Sequence, residues 1–127
     1  MKFTVPITKN HEFKRVYNKG ASASGQNLVV YCRRWRDRDK NRLGLTVSTK
    51  VGKAVQRNKI RRRLKEIYRL NEEKLSTGWD IILVARVRSR NAGYSELERD
   101  FFSLCARLKL MAEEKDEKDT NMDSKIL

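Results

Sequence analysis

The strongest constraint on the fold is an unbroken run of five apolar residues at 81–85 (Ile-Ile-Leu-Val-Ala), inside the extended segment 79–87. A strand that is apolar on both faces must be covered on both faces, which is typical of the interior of a sheet. The run is too short to cross a membrane, because a spanning helix needs about 20 apolar residues. We therefore predict that residues 79–87 form the middle strand of the sheet.

The segments before this strand predict one helix and an antiparallel pair of strands. Phe13, Val16 and Tyr17 share one face of a helix at about residues 9–19. Residues 28–35 have the composition of a strand, a polar turn follows, and residues 43–48 alternate apolar with small or polar side chains. The order of elements along the chain is predicted as α-β-β-β-α-β-α, in which residues 28–35 and 43–48 are two of the three strands before the second helix.

Two further helices flank the central strand in the sequence. One is basic and spans about residues 54–75. The other closes the domain, with Ser95 and Glu98 as a predicted capping box at its start. Its apolar stripe consists of Leu97, Phe101, Leu104, Cys105 and Leu108. The predicted sheet is four-stranded and packs with three helices.

The charge of the chain points to a polyanionic partner. The chain has 127 residues and a formal net charge of +14, and residues 112–127 alone hold six acids against three lysines. Residues 1–111 therefore carry 27 − 10 = +17, an excess typical of nucleic-acid-binding domains. We predict a single domain at 1–111 and an acidic, disordered tail at 112–127.

Composition also predicts the compartment. The N-terminus lacks the apolar stretch of a signal peptide. The two cysteines, Cys32 and Cys105, lie far apart in apolar patterns and form no metal-ligand motif, so we expect them to be reduced and buried. A cytoplasmic location without membrane association is the resulting expectation.

The basic helix is amphipathic in an unusual way. Ile60, Leu64 and Ile67 fall in one narrow arc and form a buried seam. Cations crowd the remaining surface, and Glu66 is the only acid between positions 50 and 69. Solvated helix faces normally mix charges of both signs. This helix is therefore predicted to bind phosphates, for which the planar fork of arginine is well suited.

The sequence Lys-Val-Gly-Lys-Ala-Val-Gln-Arg-Asn-Lys-Ile-Arg-Arg at 50–62 resembles the signature helix of bacterial ribonuclease P proteins, known by its Arg-Asn-Arg core. Segments 13–20, 43–48 and 79–86 resemble the family in the same order and spacing, so the likeness covers about residues 3–110. Lys59 replaces the third residue of the core, which keeps the charge and loses the bidentate fork.

This resemblance implies a fold and a division of labour. The fold is an α/β (α+β) two-layer sandwich with a four-stranded mixed sheet and a left-handed β-α-β crossover that carries the signature helix. Family members join a catalytic RNA to remove the 5′ leader of precursor tRNA, so the endoribonuclease is the holoenzyme. The RNA carries the catalysis with magnesium ions that it mainly binds itself. No catalytic residue is expected in the protein, and a metal site on the protein is left open.

The resemblance also assigns two binding surfaces. The signature helix and its loop contact the catalytic RNA, through Lys50, Lys53, Arg57, Asn58, Lys59, Arg61, Arg62 and Lys65. A cleft between the first helix and the sheet holds the single-stranded leader, where the side chains Phe13, Tyr17, Tyr31 and Lys14 are expected to supply stacking platforms and a phosphate contact. From the residues alone, an aromatic and apolar stripe at helical spacing such as Phe13, Val16 and Tyr17 is more typical of a hydrophobic core than of a binding surface.

Two other functions are compatible with a basic domain of this size. One is a ribosomal or other structural RNA-binding protein, which needs phosphate contacts but no stacking platform. The other is a DNA-binding protein that inserts the basic helix into a major groove, which the lack of a preceding short helix and tight turn disfavours. The expected partners are therefore the ribonuclease P catalytic RNA and precursor tRNA, with neither DNA nor membrane.

Overall fold

The computed structural model describes residues 1–112. Apart from Ala112, the acidic tail predicted at 112–127 lies outside the described residues. The strands are β1 (Thr4–Pro6), β2 (Ala21–Ser24), β3 (Leu28–Arg34), β4 (Asn41–Thr46) and β5 (Trp79–Ala85). The helices are α1 (Asn10–Lys19), α2 (Ala54–Asn71) and α3 (Tyr94–Arg107), and short 3-10 helices occur at Thr49–Val51, Glu72–Lys74 and Val87–Asn91.

The five strands form one mixed sheet in the order β1-β4-β5-β3-β2. The prediction of a central strand is confirmed, because β5 lies in the middle, parallel to β4 and antiparallel to β3. The predicted antiparallel pairing of residues 28–35 with 43–48 is wrong. β5 lies between these two segments, because a strand that is apolar on both faces is best covered at the centre of the sheet.

The prediction of four strands is also wrong, because β1 adds a fifth. β1 is three residues long and contains Pro6, so it lacks the alternation that identifies a strand in a sequence. It pairs in parallel with the outer edge of β4, with Thr4 opposite Asn41 and Pro6 opposite Leu43. Proline is tolerated there because an edge strand leaves one side without ladder hydrogen bonds.

Helices cover both faces of the sheet, which corrects the expected two layers. On one face, Val16 of α1 packs with Ile82 of β5 in a small apolar cluster. On the other face, α2 and α3 build the main core, in which Ile81 and Leu83 of β5 are fully buried. Alternate side chains of β5 therefore serve two separate cores.

The helix boundaries differ from the predicted ones by a few residues. α2 ends at Asn71, and the chain continues as the 3-10 helix Glu72–Lys74. The start of α3 is capped at Gly93, whose N–H donates to the Glu96 carboxylate at 2.8 Å, instead of the predicted capping box at Ser95. The pattern of apolar residues predicts where both helices lie, but it does not predict which residue caps a helix.

Glu72 fastens β1 to the end of α2. This side chain is 2 % exposed. Its carboxylate accepts hydrogen bonds from the backbone N–H groups of Lys2 (2.8 Å) and Phe3 (3.0 Å) and from the Thr4 hydroxyl (2.6 Å). Burial alone would raise the pKa of Glu72, but these hydrogen bonds outweigh it and hold the pKa below its ordinary value.

We predict that Glu72→Gln destabilises the protein at neutral pH by about 1–2 kcal/mol. The reason is that the carboxylate, which accepts three hydrogen bonds, is replaced by a neutral amide with only one acceptor oxygen. A carboxylate whose pKa is lower in the folded state than in the unfolded state stabilises the fold at pH values above its unfolded pKa. This stabilisation is lost as the pH falls through the folded pKa. The difference from wild type, measured by urea unfolding, should therefore shrink between pH 7 and pH 3.

Glu73→Gln is the matched control, since Glu73 is exposed and its one ion pair among residues 1–112 is with the exposed Lys2 side chain. It should leave stability nearly unchanged at both pH values. A Glu72→Gln penalty that is independent of pH would contradict the assignment.

Candidate nucleic-acid interface

The apolar seam of α2 fixes which of its side chains face outward. Ile60, Leu64 and Ile67 are buried against the sheet and α3. The predicted RNA-binding residues lie on the remaining surface: Lys53, Asn58, Lys59, Arg62 and Lys65 are exposed, and Arg57 and Arg61 are half-buried. The structure thus brings the predicted residues of this helix together on its outward side.

Most of these cations have no carboxylate partner. Within residues 1–112, the only ion pair made by an α2 cation joins Arg69 to Glu66 at 2.8 Å. Arg57 donates to the carbonyl of Gly52 (3.2 Å), and Arg61 donates to the Asn58 side chain (3.1 Å). These bonds orient the guanidinium groups without neutralising them, so their charge is available to an anion.

The loop before α2 places one more predicted residue, Lys50, beside Lys53 and this surface. Lys50 lies in the 3-10 helix Thr49–Val51, and Lys53 precedes the first turn of α2; both are exposed. Gly52 between them has a φ of +156°, and Gln56 occupies the space where a Cβ would stand. A glycine is therefore required for this tight approach of the loop to α2.

The second predicted surface is an aromatic cluster between α1 and the sheet. The ring centroids of Phe13 and Tyr17 are 6.3 Å apart, and those of Tyr17 and Tyr31 are 4.8 Å apart in an edge-to-face arrangement. All three rings are half-buried, and Lys14 is exposed on the same helix. The rings therefore support the small core under α1 and also leave part of their aromatic surface accessible.

Two contributors to this cluster were not predicted. Thr46 of β4 hydrogen-bonds the Tyr17 hydroxyl at 2.9 Å. Gly44 makes room for Phe13, since a Cβ at this position would lie 2.6 Å from the ring. The glycine within the otherwise regular strand 43–48 was a usable signal, because such a glycine often marks the close approach of another group.

Arg42 anchors α1 to the sheet. Its guanidinium donates two hydrogen bonds to the Asp80 carboxylate (2.7 and 2.8 Å) and forms an ion pair with Glu12 of α1. The guanidinium carbon also lies over the Trp35 ring, 4.7 Å from the ring centroid. The hydrogen bond from Arg42 holds the pKa of Glu12 below its ordinary value. The buried Asp80 carboxylate of β5 is thus paired with an arginine of the neighbouring strand β4.

The two predicted surfaces meet at the edge of β4. Phe13 of α1 and the side chains of Arg61 and Lys65 of α2 line one open cleft of about 470 Å³. β1 pairs with β4 only as far as Leu43, and the cleft lies beside this edge of the sheet. Aromatic and cationic groups are thereby placed side by side, as single-stranded RNA binding requires.

The remaining titratable groups contribute less to this site. Burial raises the pKa of Cys32 to about 11 and that of Cys105 to about 12, and both thiols are free.

Between positions 1 and 112, no cluster of three or more His, Cys, Asp or Glu side chains could hold a metal ion. In that same stretch, none of the helices has the length and apolar character needed to cross a membrane.

Sequence comparisons agree with the resemblance seen in the signature helix. The profile of the family described as Ribonuclease P matches residues 1–109. The ribonuclease P protein component of Clostridioides difficile (strain 630) is 40% identical over 105 residues, which cover 82% of this chain and 91% of that protein. The corresponding protein of Alkaliphilus metalliredigens is 39% identical over 106 residues, covering 84% and 95%.

Solved structures show the same architecture. The RNase P protein of Staphylococcus aureus superposes with a TM-score of 0.78 at 32% identity, covering 84% of this chain and 97% of that one. The RNase P protein of Thermotoga maritima gives a TM-score of 0.71 at 25% identity, covering 77% and 92%.

The anchoring role of Arg42 leads to a stability prediction. Asp80 is 3 % exposed, so Arg42→Met leaves a buried carboxylate without its partner. We expect the free energy of unfolding, measured by urea denaturation, to fall by about 3 kcal/mol. Arg36→Met, at an exposed position of the β3–β4 turn, should change it by less than about 0.5 kcal/mol. Similar values for both variants would contradict the anchoring role.

Proposed function

Because this chain belongs to the ribonuclease P protein family, we propose that it acts as the protein subunit of the ribonuclease P holoenzyme, the endoribonuclease that matures the 5′ end of tRNA. The family match spans residues 1–109, which is nearly the whole described part of the chain. The chain is thus a tRNA-processing subunit, and its partner is the ribonuclease P RNA.

The observation that carries this proposal is the cleft at the edge of β4. Phe13 lies on one side of it, and Arg61 and Lys65 lie on the other. A single strand of RNA needs rings for its bases and cations for its phosphates within a few nucleotides. An RNA scaffold protein would need the cations alone, so the aromatic cluster supports a role in substrate binding.

We assign the cationic surface of α2 to the catalytic RNA and the aromatic cleft to the 5′ leader of precursor tRNA. Among residues 1–112, most cations of the α2 surface have no carboxylate partner, which suits the dense phosphates of a folded RNA. The cleft places the Phe13 ring beside two cations, which suits an unpaired strand. A cytoplasmic location follows from this role in bacterial tRNA maturation.

We further propose that the RNA subunit carries the cleavage chemistry. Magnesium ions, bound mainly by that RNA, would activate the attacking water and stabilise the leaving oxygen. The side chains that line the cleft suit binding instead: they are mainly apolar groups, among them the Phe13 ring, with the cations Arg61 and Lys65. In the aromatic cluster beside it, the hydroxyls of Tyr17 and Thr46 are hydrogen-bonded to each other. The role of this chain is then to hold RNA strands in place.

Reconstitution with a bacterial ribonuclease P RNA tests the function directly. At a magnesium concentration that is limiting for the RNA alone, we expect this protein to increase removal of the 5′ leader, because its cations replace part of the counterion requirement. Lysozyme, which is also small and basic, serves as the control for non-specific charge. Equal stimulation by both proteins, or none by this one, would contradict the proposal.

The cleft assignment predicts a substrate-specific defect. Phe13→Ala with Tyr17→Ala should weaken holoenzyme binding of precursor tRNA by about tenfold or more, since a stacked base contributes about 1–3 kcal/mol. Binding of mature tRNA, which lacks a leader, should be unchanged in the same equilibrium assay.

Two controls separate stacking from loss of packing. Tyr17→Phe keeps the ring and removes only the hydrogen bond to Thr46, so it should retain leader affinity. Phe102→Ala removes a half-buried ring from α3, on the opposite face of the sheet, and should affect neither ligand. Equal losses for precursor and mature tRNA in the double variant would mean that the rings serve only the core.

A further inference from the structure

A further cationic surface adjoins Lys50 and Lys53 at the carboxyl ends of β4 and β5. Residues 40–65 and residues 81–95 both lack Asp and Glu. The fold brings them together, because the 3-10 helix Thr49–Val51 packs against the 3-10 helix Val87–Asn91. The second stretch contributes Arg86, Arg88 and Arg90, all of them exposed.

These arginines form a continuous surface with Lys50 and Lys53, which lie just before α2. Lys50 lines two adjoining open grooves. Arg90 and Lys53 line one of them, and Arg86 and Arg88 line the other. In the part of the chain that the structure describes, neither groove has an acidic or an aromatic side chain in its lining. Positive charge therefore extends from α2 around its first turn and onto the loop after β5.

The backbone beneath these arginines is firmly held. Ser89 is 1 % exposed, and its hydroxyl donates to the carbonyl of Arg86 at 2.6 Å. Arg63 of α2 donates to the carbonyl of Ala92 at 3.2 Å and so ties the end of this loop to the signature helix. The guanidinium of Arg86 donates to the carbonyl of Gly25 at 2.9 Å. The exposed cations are thus presented from a fixed frame, which lowers the entropic cost of binding.

We propose that Arg88 and Arg90, together with Lys50 and Lys53, bind the phosphate backbone of a base-paired segment of the ribonuclease P RNA. This inference rests on the proposed function and extends the RNA-binding surface beyond α2. Base-paired RNA presents phosphates and hides its bases, so it is recognised by cations and shape. The grooves offer cations without rings, which fits such a segment better than the unpaired leader.

Charge-removing variants test this surface. The first variant is Arg88→Gln/Arg90→Gln. Within residues 1–112, the wild-type Arg88 and Arg90 side chains make no hydrogen bond or ion pair that this change would break. The matched control is Arg36→Gln/Arg38→Gln, which removes the same charge from exposed positions in the turn before β4, at the other end of the sheet. Circular dichroism and thermal unfolding establish that both variants keep the fold.

The measurement is the affinity for the ribonuclease P RNA alone as a function of salt concentration. We expect the log–log slope to fall by about 1.4–1.8 in the Arg88/Arg90 variant, at 0.7–0.9 for each lost phosphate contact, and to be unchanged in the control. Equal slopes for the two variants would overturn the proposal, since net charge and not position would then matter.

A second arm identifies the source of the phosphates. In the reconstituted holoenzyme, the ratio of affinities for precursor and mature tRNA should be the same for the Arg88/Arg90 variant and wild type. A defect confined to leader-containing precursor would overturn the proposal in favour of the leader. Failure of wild-type protein to bind the RNA or to stimulate cleavage would instead refute the proposed function itself.

Discussion

Strand β5 is apolar on both faces, and the arrangement of both binding surfaces follows from its need for cover. Ile82 is buried under α1, and Ile81 and Leu83 are buried under α2 and α3. Helices must therefore occupy both sides of the sheet. α1 brings the aromatic cluster to one side and α2 brings the cations to the other, and the two meet around the short edge left by β1.

The charged residues divide into two groups with different uses. Three buried or half-buried acids fasten the fold: Glu72 holds β1 to α2, while Glu12 and Asp80 hold α1 to the sheet through Arg42. The cations of α2 and of the loops beside it are left mostly without carboxylates inside the described domain. Self-repulsion among them is unfavourable for the free protein. A polyanionic partner relieves it, so binding and stability are coupled.

Features that depend on local pattern could be predicted from the sequence, and features that depend on distant partners could not. The apolar run at 81–85 located the central strand, and the seam of Ile60, Leu64 and Ile67 showed which side of α2 is buried. The pairing of β3 with β5 was missed because adjacent strands were expected to pair. β1 was missed because its place depends on Glu72, almost 70 residues later, and the clamp of Arg42 likewise joins three separate elements. The roles of individual residues at both surfaces stay predictions.

The most direct test of the account is the salt dependence of ribonuclease P RNA binding by Arg61→Gln/Arg62→Gln/Lys65→Gln, compared with Arg36→Gln/Arg38→Gln/Lys40→Gln. Both variants lose three charges, the first from α2 and the second from the exposed turn before β4. If RNA neutralises the outward side of α2, the log–log slope falls by about 2.1–2.7 for the first variant and stays at the wild-type value for the second. An equal change in both would contradict the claim that the position of these cations on α2 determines RNA binding.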